Sequence, residues 1–129
     1  MERRAINPWK WQDHYGFQQA NEVKSAERTL ICSGQTSVDD QGTPVHAGDM
    51  AAQVNQAFDN VEAVLKAAGM DKSNIVKLNI YTTDMDALFV AFPSFTSRTA
   101  GLQLASTWLG VARLALPEIM IELEATAVA

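Results

Sequence analysis

The chain has 129 residues, of which 47% are hydrophobic and 19% are charged, and its formal net charge is −5. This length and composition favour one globular domain, and no apolar run approaches the ~18 residues of a membrane-spanning helix. The acidic balance and the scattered basic residues argue against nucleic-acid binding, which draws most of its affinity from clustered Lys and Arg.

The first half of the chain predicts a strand followed by an amphipathic helix. The segment "TLICSGQTSV" is strand-like and contains the one cysteine, Cys32, which we expect to be a buried thiol in a reduced cytoplasm. From Met50 to Ala68, apolar residues recur at steps of three and four, as is typical of a helix with one buried face. Asp49 can cap the start of this helix, and Gly69 suits its end.

A second strand and a second helix are predicted next. The segment "NIVKLNIYTT" alternates between apolar and polar residues, which predicts a half-buried strand. Its apolar positions are Val76, Leu78 and Ile80. Thr83 and Asp86 have the spacing of a capping box for the following helix. Pro93 interrupts that helix, so we expect it to be short, kinked or restarted at the proline.

The C-terminal segments "STWLGVARL" and "EIMIELEATAV" read as two strands joined by a Leu-Pro turn. In the second of them, Glu122 and Glu124 share one face. The order of elements predicts an α+β domain over residues 1–129, with a single sheet and two helices on one of its faces. Apolar residues are expected on the other face, which suggests that it is covered by oligomerisation. These residues are Trp108, Leu114 and Met120.

Four ordered segments resemble the Rid (reactive intermediate deaminase) or YjgF family: "ICSGQTSVDDQG", "AAQVNQAFDNVEAVLKAAGM", "IVKLNIYTTDMD" and "GVARL…IELEATAV". The resemblance begins near Tyr15, which leaves residues 1–14 as an N-terminal extension. It implies a chorismate-mutase-like fold and a homotrimer that binds small molecules in clefts between subunits. It also implies hydrolysis of enamine or imine intermediates to keto acids and ammonia, with no cofactor.

The resemblance also assigns site residues. In active deaminases an arginine grips the substrate carboxylate through two parallel hydrogen bonds. The shared "VARL" places Ser106 at that position, so the arginine is absent, and Arg98 is the one substitute to be tested. Glu122 matches the glutamate that handles the attacking water, and we expect burial to raise its pKa. The other matching cleft positions are Phe17, Ser33, Gly34 and Trp108.

Three functions follow from these assignments. The first is a divergent Rid enzyme that hydrolyses an enamine or imine with a bulky or apolar substituent. The second is a non-catalytic trimer that binds a small metabolite or a protein partner, and a ribonuclease is a distant third. No spacing of Cys, His and acidic residues indicates a metal site. Trp9 and Trp11 are interpreted either as a lid on a neighbouring subunit or as a local hydrophobic clasp.

Overall fold

The computed structural model describes all residues from 1 to 129 and contains seven strands and three α-helices. The strands are β1 (Glu2–Ile6), β2 (Ala20–Lys24), β3 (Thr29–Ile31), β4 (Gln35–Thr36), β5 (Ile75–Thr82), β6 (Ala105–Gly110) and β7 (Ile121–Val128). The helices are α1 (Met50–Ala67), α2 (Met85–Val90) and α3 (Phe92–Thr99), and short 3-10 turns span Trp11–Tyr15 and Lys72–Asn74. None of the helices combines the length and the apolar character needed to cross a membrane.

The main sheet has the strand order β3-β7-β5-β6, and β4 also pairs with β7. β5 runs parallel to β6 and antiparallel to β7. The predicted strand "TLICSGQTSV" is therefore two short strands, β3 and β4, which pair with successive parts of β7. The α+β prediction is confirmed, and the structure adds a separate two-stranded sheet formed by β1 and β2.

The last two strands are not the neighbours that the sequence suggested. Gly110 at the end of β6 and Ile121 at the start of β7 both pair with Thr82, on opposite sides of β5. Residues 111–120 therefore cross over the end of β5, so the prediction of a strand pair joined by a Leu-Pro turn was wrong. Sequence alternation identifies strands but does not identify their hydrogen-bonding partners.

Helix α1 forms where its periodicity predicts it. The Asp49 carboxylate accepts a hydrogen bond from the Ala52 N–H at 3.0 Å, which caps the first turn. Gly69 follows the helix with a φ of +72°, a left-handed conformation that favours glycine. The core-facing side chains are at most 1% exposed: Val54, Phe58, Val61 and Leu65. Cys32 lies in the same core, as expected for a buried thiol, and burial raises the pKa of its side chain.

The second predicted helix is two helices. α2 ends before Ala91, and α3 restarts with Pro93 in its first turn, where the missing proline N–H costs no helical hydrogen bond. The predicted capping box at Thr83 and Asp86 is wrong. Asp84 caps α2 instead, because its carboxylate accepts from the Ala87 N–H at 3.0 Å.

A bulge changes which β5 residues reach the core. Ile75 pairs with Ala127, whereas Lys77 pairs with the adjacent Thr126, so Val76 is an extra residue in the ladder. Ile75 is consequently 1% exposed and takes the buried place predicted for Val76. The predicted burial of Leu78 and Ile80 is confirmed, since both are fully buried.

The sheet face opposite the helices is more polar than predicted. Trp108 and Met120 pack against the hydrophobic core, so the expected apolar patch built on them does not form. This face instead carries alternate residues of β5 and β7, namely Lys77, Asn79, Tyr81, Glu122, Glu124 and Thr126. One large apolar side chain on the edge strand, Ile31, is 80% exposed.

Arg98 is tied to α1 and does not replace the missing arginine. Its guanidinium donates to the Asp59 carboxylate at 2.8 Å and to the Glu62 carboxylate, and it also bonds to the Asn55 carbonyl at 3.1 Å. The same group lies 5.5 Å from the centre of the Phe58 ring. These contacts join α3 to α1, which is a structural role.

The N-terminal sheet is anchored to the rest of the domain by Arg3. Its guanidinium donates to the carbonyls of Ser73, Ile75 and Gln103. Asn21 of β2 donates to the Gln103 carbonyl as well, at 2.8 Å. The first residues of the chain are thereby held in place, and with them the 3-10 turn Trp11–Tyr15 that follows β1.

Candidate active site

The residues assigned to the site form two groups on opposite faces of the main sheet. Ser106 and Trp108 lie beside Leu78 and Ile80, whose side chains point toward the helices. Glu122 lies beside Tyr81, on the other face. Because side chains alternate along a strand, one chain cannot bring Ser106 and Glu122 to the same side of the sheet.

We call Glu122, Ser33 and Gly34 the first group, and Phe17, Ser106 and Trp108 the second group. A Cβ atom built at Gly34 would lie 1.7 Å from Oε1 of Glu122, so the carboxylate occupies the space that glycine leaves free. Gly34 follows Ser33 in the segment between β3 and β4, which belongs to neither strand. The predicted proximity of this segment to Glu122 is therefore seen within one chain.

The two acids of β7 have different surroundings. Oε1 of Glu124 accepts hydrogen bonds from the Asn79 amide and the Tyr81 hydroxyl, each at 3.0 Å. The bond to Glu124 is the main reason that the pKa of Tyr81 is raised. The Glu122 side chain is half-buried, and its carboxylate, unlike that of Glu124, accepts no hydrogen bond from the chain. Burial, followed by the charge of Glu124, raises the pKa of Glu122, which is the direction expected for a general base.

The raised pKa of Glu122 predicts a pH-dependent effect of Glu122→Gln on stability. The folded state holds the Glu122 proton more tightly than the unfolded chain, whose value is near 4.5. Protonation of Glu122 therefore contributes its full stabilisation of the fold below that value. The stabilisation is lost as the pH rises through the higher pKa of the folded state. We expect the variant to melt above wild type at pH 7 and the difference to disappear below about pH 4. Melting curves across pH test this, and a wild type that gains stability over the variant as the pH rises would contradict it.

The contact between Gly34 and Glu122 predicts a second effect. Gly34→Ala is expected to push the Glu122 carboxylate out of its place, because the added methyl would overlap Oε1, Cδ and Cγ of that side chain. Any activity that depends on Glu122 should then fall about tenfold or more, while the fold persists. Gly110→Ala is the matched control, since its Cβ meets no atom within 4 Å. Equal activity in the two variants would show that the position of Glu122 is unimportant.

The second group lines a cavity of about 400 Å³ at the β6 edge of the sheet. Phe17, Ser106 and Trp108 all contribute to it, so these three predicted residues are brought together. The other aromatic side chains of the lining are Trp11, Tyr15, Phe89, Phe92 and Phe95. Trp108 does not fill the space. Its ring packs edge-on against Phe95 at 4.8 Å and stacks with Phe89 at 6.0 Å, which makes it one wall of the cavity.

Trp11 and Phe89 were not predicted to belong to the site. The local clasp interpretation is confirmed for Trp11, whose ring contacts those of Tyr15 and Phe17 at 6.4 and 5.8 Å. The available signal was the density of aromatic residues in "WQDHYGF" and "LFVAFPSF". Trp9 lies outside the cavity and is 58% exposed.

The cavity contains no charged lining residue. The Ser106 hydroxyl donates to the Leu78 carbonyl at 2.9 Å, so its proton is not available to a ligand anion. No cluster of three His, Cys, Asp or Glu residues in the chain could hold a metal ion. The arrangement can thus bind an apolar group, and it offers no cationic partner for a carboxylate.

A mixed sheet covered by helices on one face, with a ligand-sized cavity at its edge, defines a small α+β domain of the kind that binds small molecules. The family model described as Endoribonuclease L-PSP matches residues 15–129. The chain belongs to this family, which is also known as the YjgF or Rid family.

Individual relatives agree with this assignment. The chain is 38% identical over 105 residues to the 2-iminobutanoate/2-iminopropanoate deaminase of Escherichia coli K12, which covers 77% of this chain and 78% of that protein. A Yersinia pestis protein of unknown function from the Rid family, YyfB, is 32% identical, with a TM-score of 0.86 and complete coverage of both chains. A putative endoribonuclease of Thermotoga maritima has a TM-score of 0.72 at 27% identity and covers 98% of this chain and 90% of its own.

Proposed function

We propose that this protein hydrolyses an enamine or imine that carries a bulky apolar substituent, releasing a carbonyl compound and ammonia. The observation that carries the proposal is the aromatic cavity beside Ser106, at the position where the resemblance calls for a carboxylate-binding arginine. The named activity of the Escherichia coli relative supports the imine part of the proposal. The size of the cavity falls within the range of small-molecule sites and supports the bulky substituent.

The two groups of residues have separate roles in this reaction. Phe17 and Trp108 bind the substituent, and Glu122 accepts a proton from the water that attacks the imine carbon. The proton then passes to the nitrogen as the carbon–nitrogen bond breaks, so that an imine and water give a carbonyl compound and ammonia. Gly34 leaves the space that the carboxylate occupies, and the backbone of Ser33 and Gly34 lines the proposed cleft.

The separation of these groups within one chain supports an oligomer, and the family resemblance implies that this oligomer is a homotrimer. A cavity and a carboxylate on opposite sheet faces can meet only when Glu122 comes from a second copy. Three copies, each of 14.1 kDa, would close three such clefts. Light scattering in solution tests the trimer, and a monomer that is fully active would contradict this arrangement.

A panel of imines tests the proposed reaction. An amino-acid oxidase forms the imine of phenylalanine, and the same enzyme forms 2-iminopropanoate from alanine. We expect the protein to accelerate decay of the larger imine more than decay of the smaller one, measured as the rise in carbonyl product above the uncatalysed rate. If no imine or enamine of any size decays faster, the proposed reaction is wrong.

A second function is binding without turnover. It is favoured because the Ser106 hydroxyl already donates its proton to the Leu78 carbonyl and because the cavity contains no cation. In that case a ligand should stabilise wild type and Glu122→Ala equally, and neither protein should turn it over. Loss of a measured turnover in Glu122→Ala would eliminate this alternative.

A ribonuclease has less support, because the chain has a net charge of −5 and the cavity offers no basic residue to a phosphate.

A further inference from the structure

The aromatic residues that line the cavity form two clusters, here called its inner wall and its outer wall. The inner wall consists of Phe89, Phe92, Phe95 and Trp108, whose ring centres lie 4.8 to 6.3 Å apart. The outer wall consists of Trp11, Tyr15 and Phe17, with ring centres 5.8 to 6.5 Å apart. No aromatic contact joins the outer wall to the inner wall, although both line the same space. A flat ring placed between them could pack against both.

The hydrogen-bonding groups of the cavity are uncharged. The hydroxyls of Ser106 and Thr99 donate to the carbonyls of Leu78 and Phe95, at 2.9 and 3.2 Å. Three further lining residues carry a neutral donor that has no partner in the chain, namely Trp11, Tyr15 and Trp108, and the first two of these are 53% and 61% exposed. Neutral donors suit a neutral acceptor, such as a carbonyl or imine nitrogen.

A carboxylate is poorly matched to this lining. An ionised carboxylate binds most strongly to a cationic partner such as a guanidinium, and none of the lining residues carries a positive charge. The same lining is well matched to an aromatic ring, which loses little on leaving water and gains contact with two aromatic walls.

We propose that the cavity selects an uncharged aromatic compound with a neutral hydrogen-bond acceptor. The substrate of the proposed hydrolysis is then an aryl-substituted imine or enamine that carries no carboxylate on the reacting carbon. This substrate class rests on the proposed function, whereas binding of the ring depends on the cavity alone. Oxidation of a primary arylalkyl amine is the class of reaction that supplies such an imine, and water converts it to an aldehyde and ammonia.

A matched pair of stable ketones tests the ligand class. Acetophenone and phenylglyoxylate share the phenyl ring and the carbonyl, and they differ by a methyl group in place of a carboxylate. Affinity is measured on the full chain from chemical-shift titrations of the three tryptophan indole N–H signals. We expect acetophenone to bind at least about tenfold more tightly and to shift the signals of Trp11 and Trp108 but not that of Trp9.

Variants locate the binding to the cavity. Phe89→Ala removes a ring that is 60% exposed, so the fold should tolerate it, and we expect acetophenone affinity to fall about fivefold or more. Trp9→Ala removes a ring outside the cavity and should leave the affinity unchanged. Ser106→Arg introduces a cation and is expected to reverse the preference in favour of phenylglyoxylate.

The possible results separate this inference from the proposed reaction. Equal or tighter binding of phenylglyoxylate by wild type, or no binding of either ketone, would overturn the inference. The second result is the one expected if another copy of the chain fills the cavity. If acetophenone binds as described but no imine is hydrolysed, the result supports the assigned ligand class and contradicts the proposed reaction.

Discussion

Replacing Glu122 by Gln is expected to lower kcat/KM for imine hydrolysis by about 100-fold or more, because the amide cannot accept a proton from the attacking water. The change keeps the size of the side chain, so the packing over Gly34 should persist. Circular dichroism and the melting temperature check that the fold is retained.

Glu124→Gln is the control for this prediction. It changes a carboxylate on the same strand face, but one whose Oε1 is already held by Asn79 and Tyr81. We expect its kcat/KM to fall by less than about tenfold. Equal losses in the two variants would mean that the charge of the face, and not a specific acid, supports the reaction.

Replacing Phe58 by Ala is expected to lower the free energy of unfolding by about 3–5 kcal/mol. Phe58 is fully buried in α1, and its ring contacts that of Phe95 at 5.4 Å and lies beneath the Arg98 guanidinium. Removing it leaves a void under α3, the helix that carries part of the inner aromatic wall. The affinity for an aromatic ligand should therefore fall together with stability.

Urea unfolding monitored by circular dichroism measures this loss. Phe58→Leu retains much of the volume and should cost clearly less, on the order of 1–2 kcal/mol. A loss below about 1 kcal/mol for the alanine variant would mean that this part of the core is not tightly packed.

Local patterns predicted the elements that depend on local chemistry. The three- and four-residue spacing of apolar residues predicted α1, and the residue types at Asp49 and Gly69 predicted its cap and its end. Pro93 predicted the restart of the chain as α3. Helix caps were less certain, because adjacent residues compete for the same N–H groups, and Asp84 caps α2 where Thr83 was predicted. The bulge at Val76 shifts the alternation of buried and exposed side chains in β5 by one residue. Because the bulge is defined by pairing with β7, the sequence of β5 alone did not predict it.

The site was harder to predict because it depends on pairing between distant strands. Alternation placed Glu122 and Glu124 on one face, and the family resemblance singled out Glu122, but the hydrogen bonds that hold Glu124 come from β5 and could not be read from the sequence. The position of Ser106 on the opposite face follows from the alignment of β6 with β5, which no local pattern specifies. Trp11 reaches the cavity because β1 pairs with β2, a contact that the sequence did not indicate.

The proposed reaction and its ligand class are tested together by two imines that share a phenylethyl group. A flavin amine oxidase forms one from 2-phenylethylamine, without a carboxylate, and an amino-acid oxidase forms the other from phenylalanine, with a carboxylate. The measurement is kcat/KM for release of the carbonyl product, in wild type and in Glu122→Gln. We predict faster hydrolysis of the uncharged imine and its loss in the variant. Preference for the carboxylate-bearing imine would contradict the ligand class, and turnover that survives in Glu122→Gln would contradict the proposed role of Glu122.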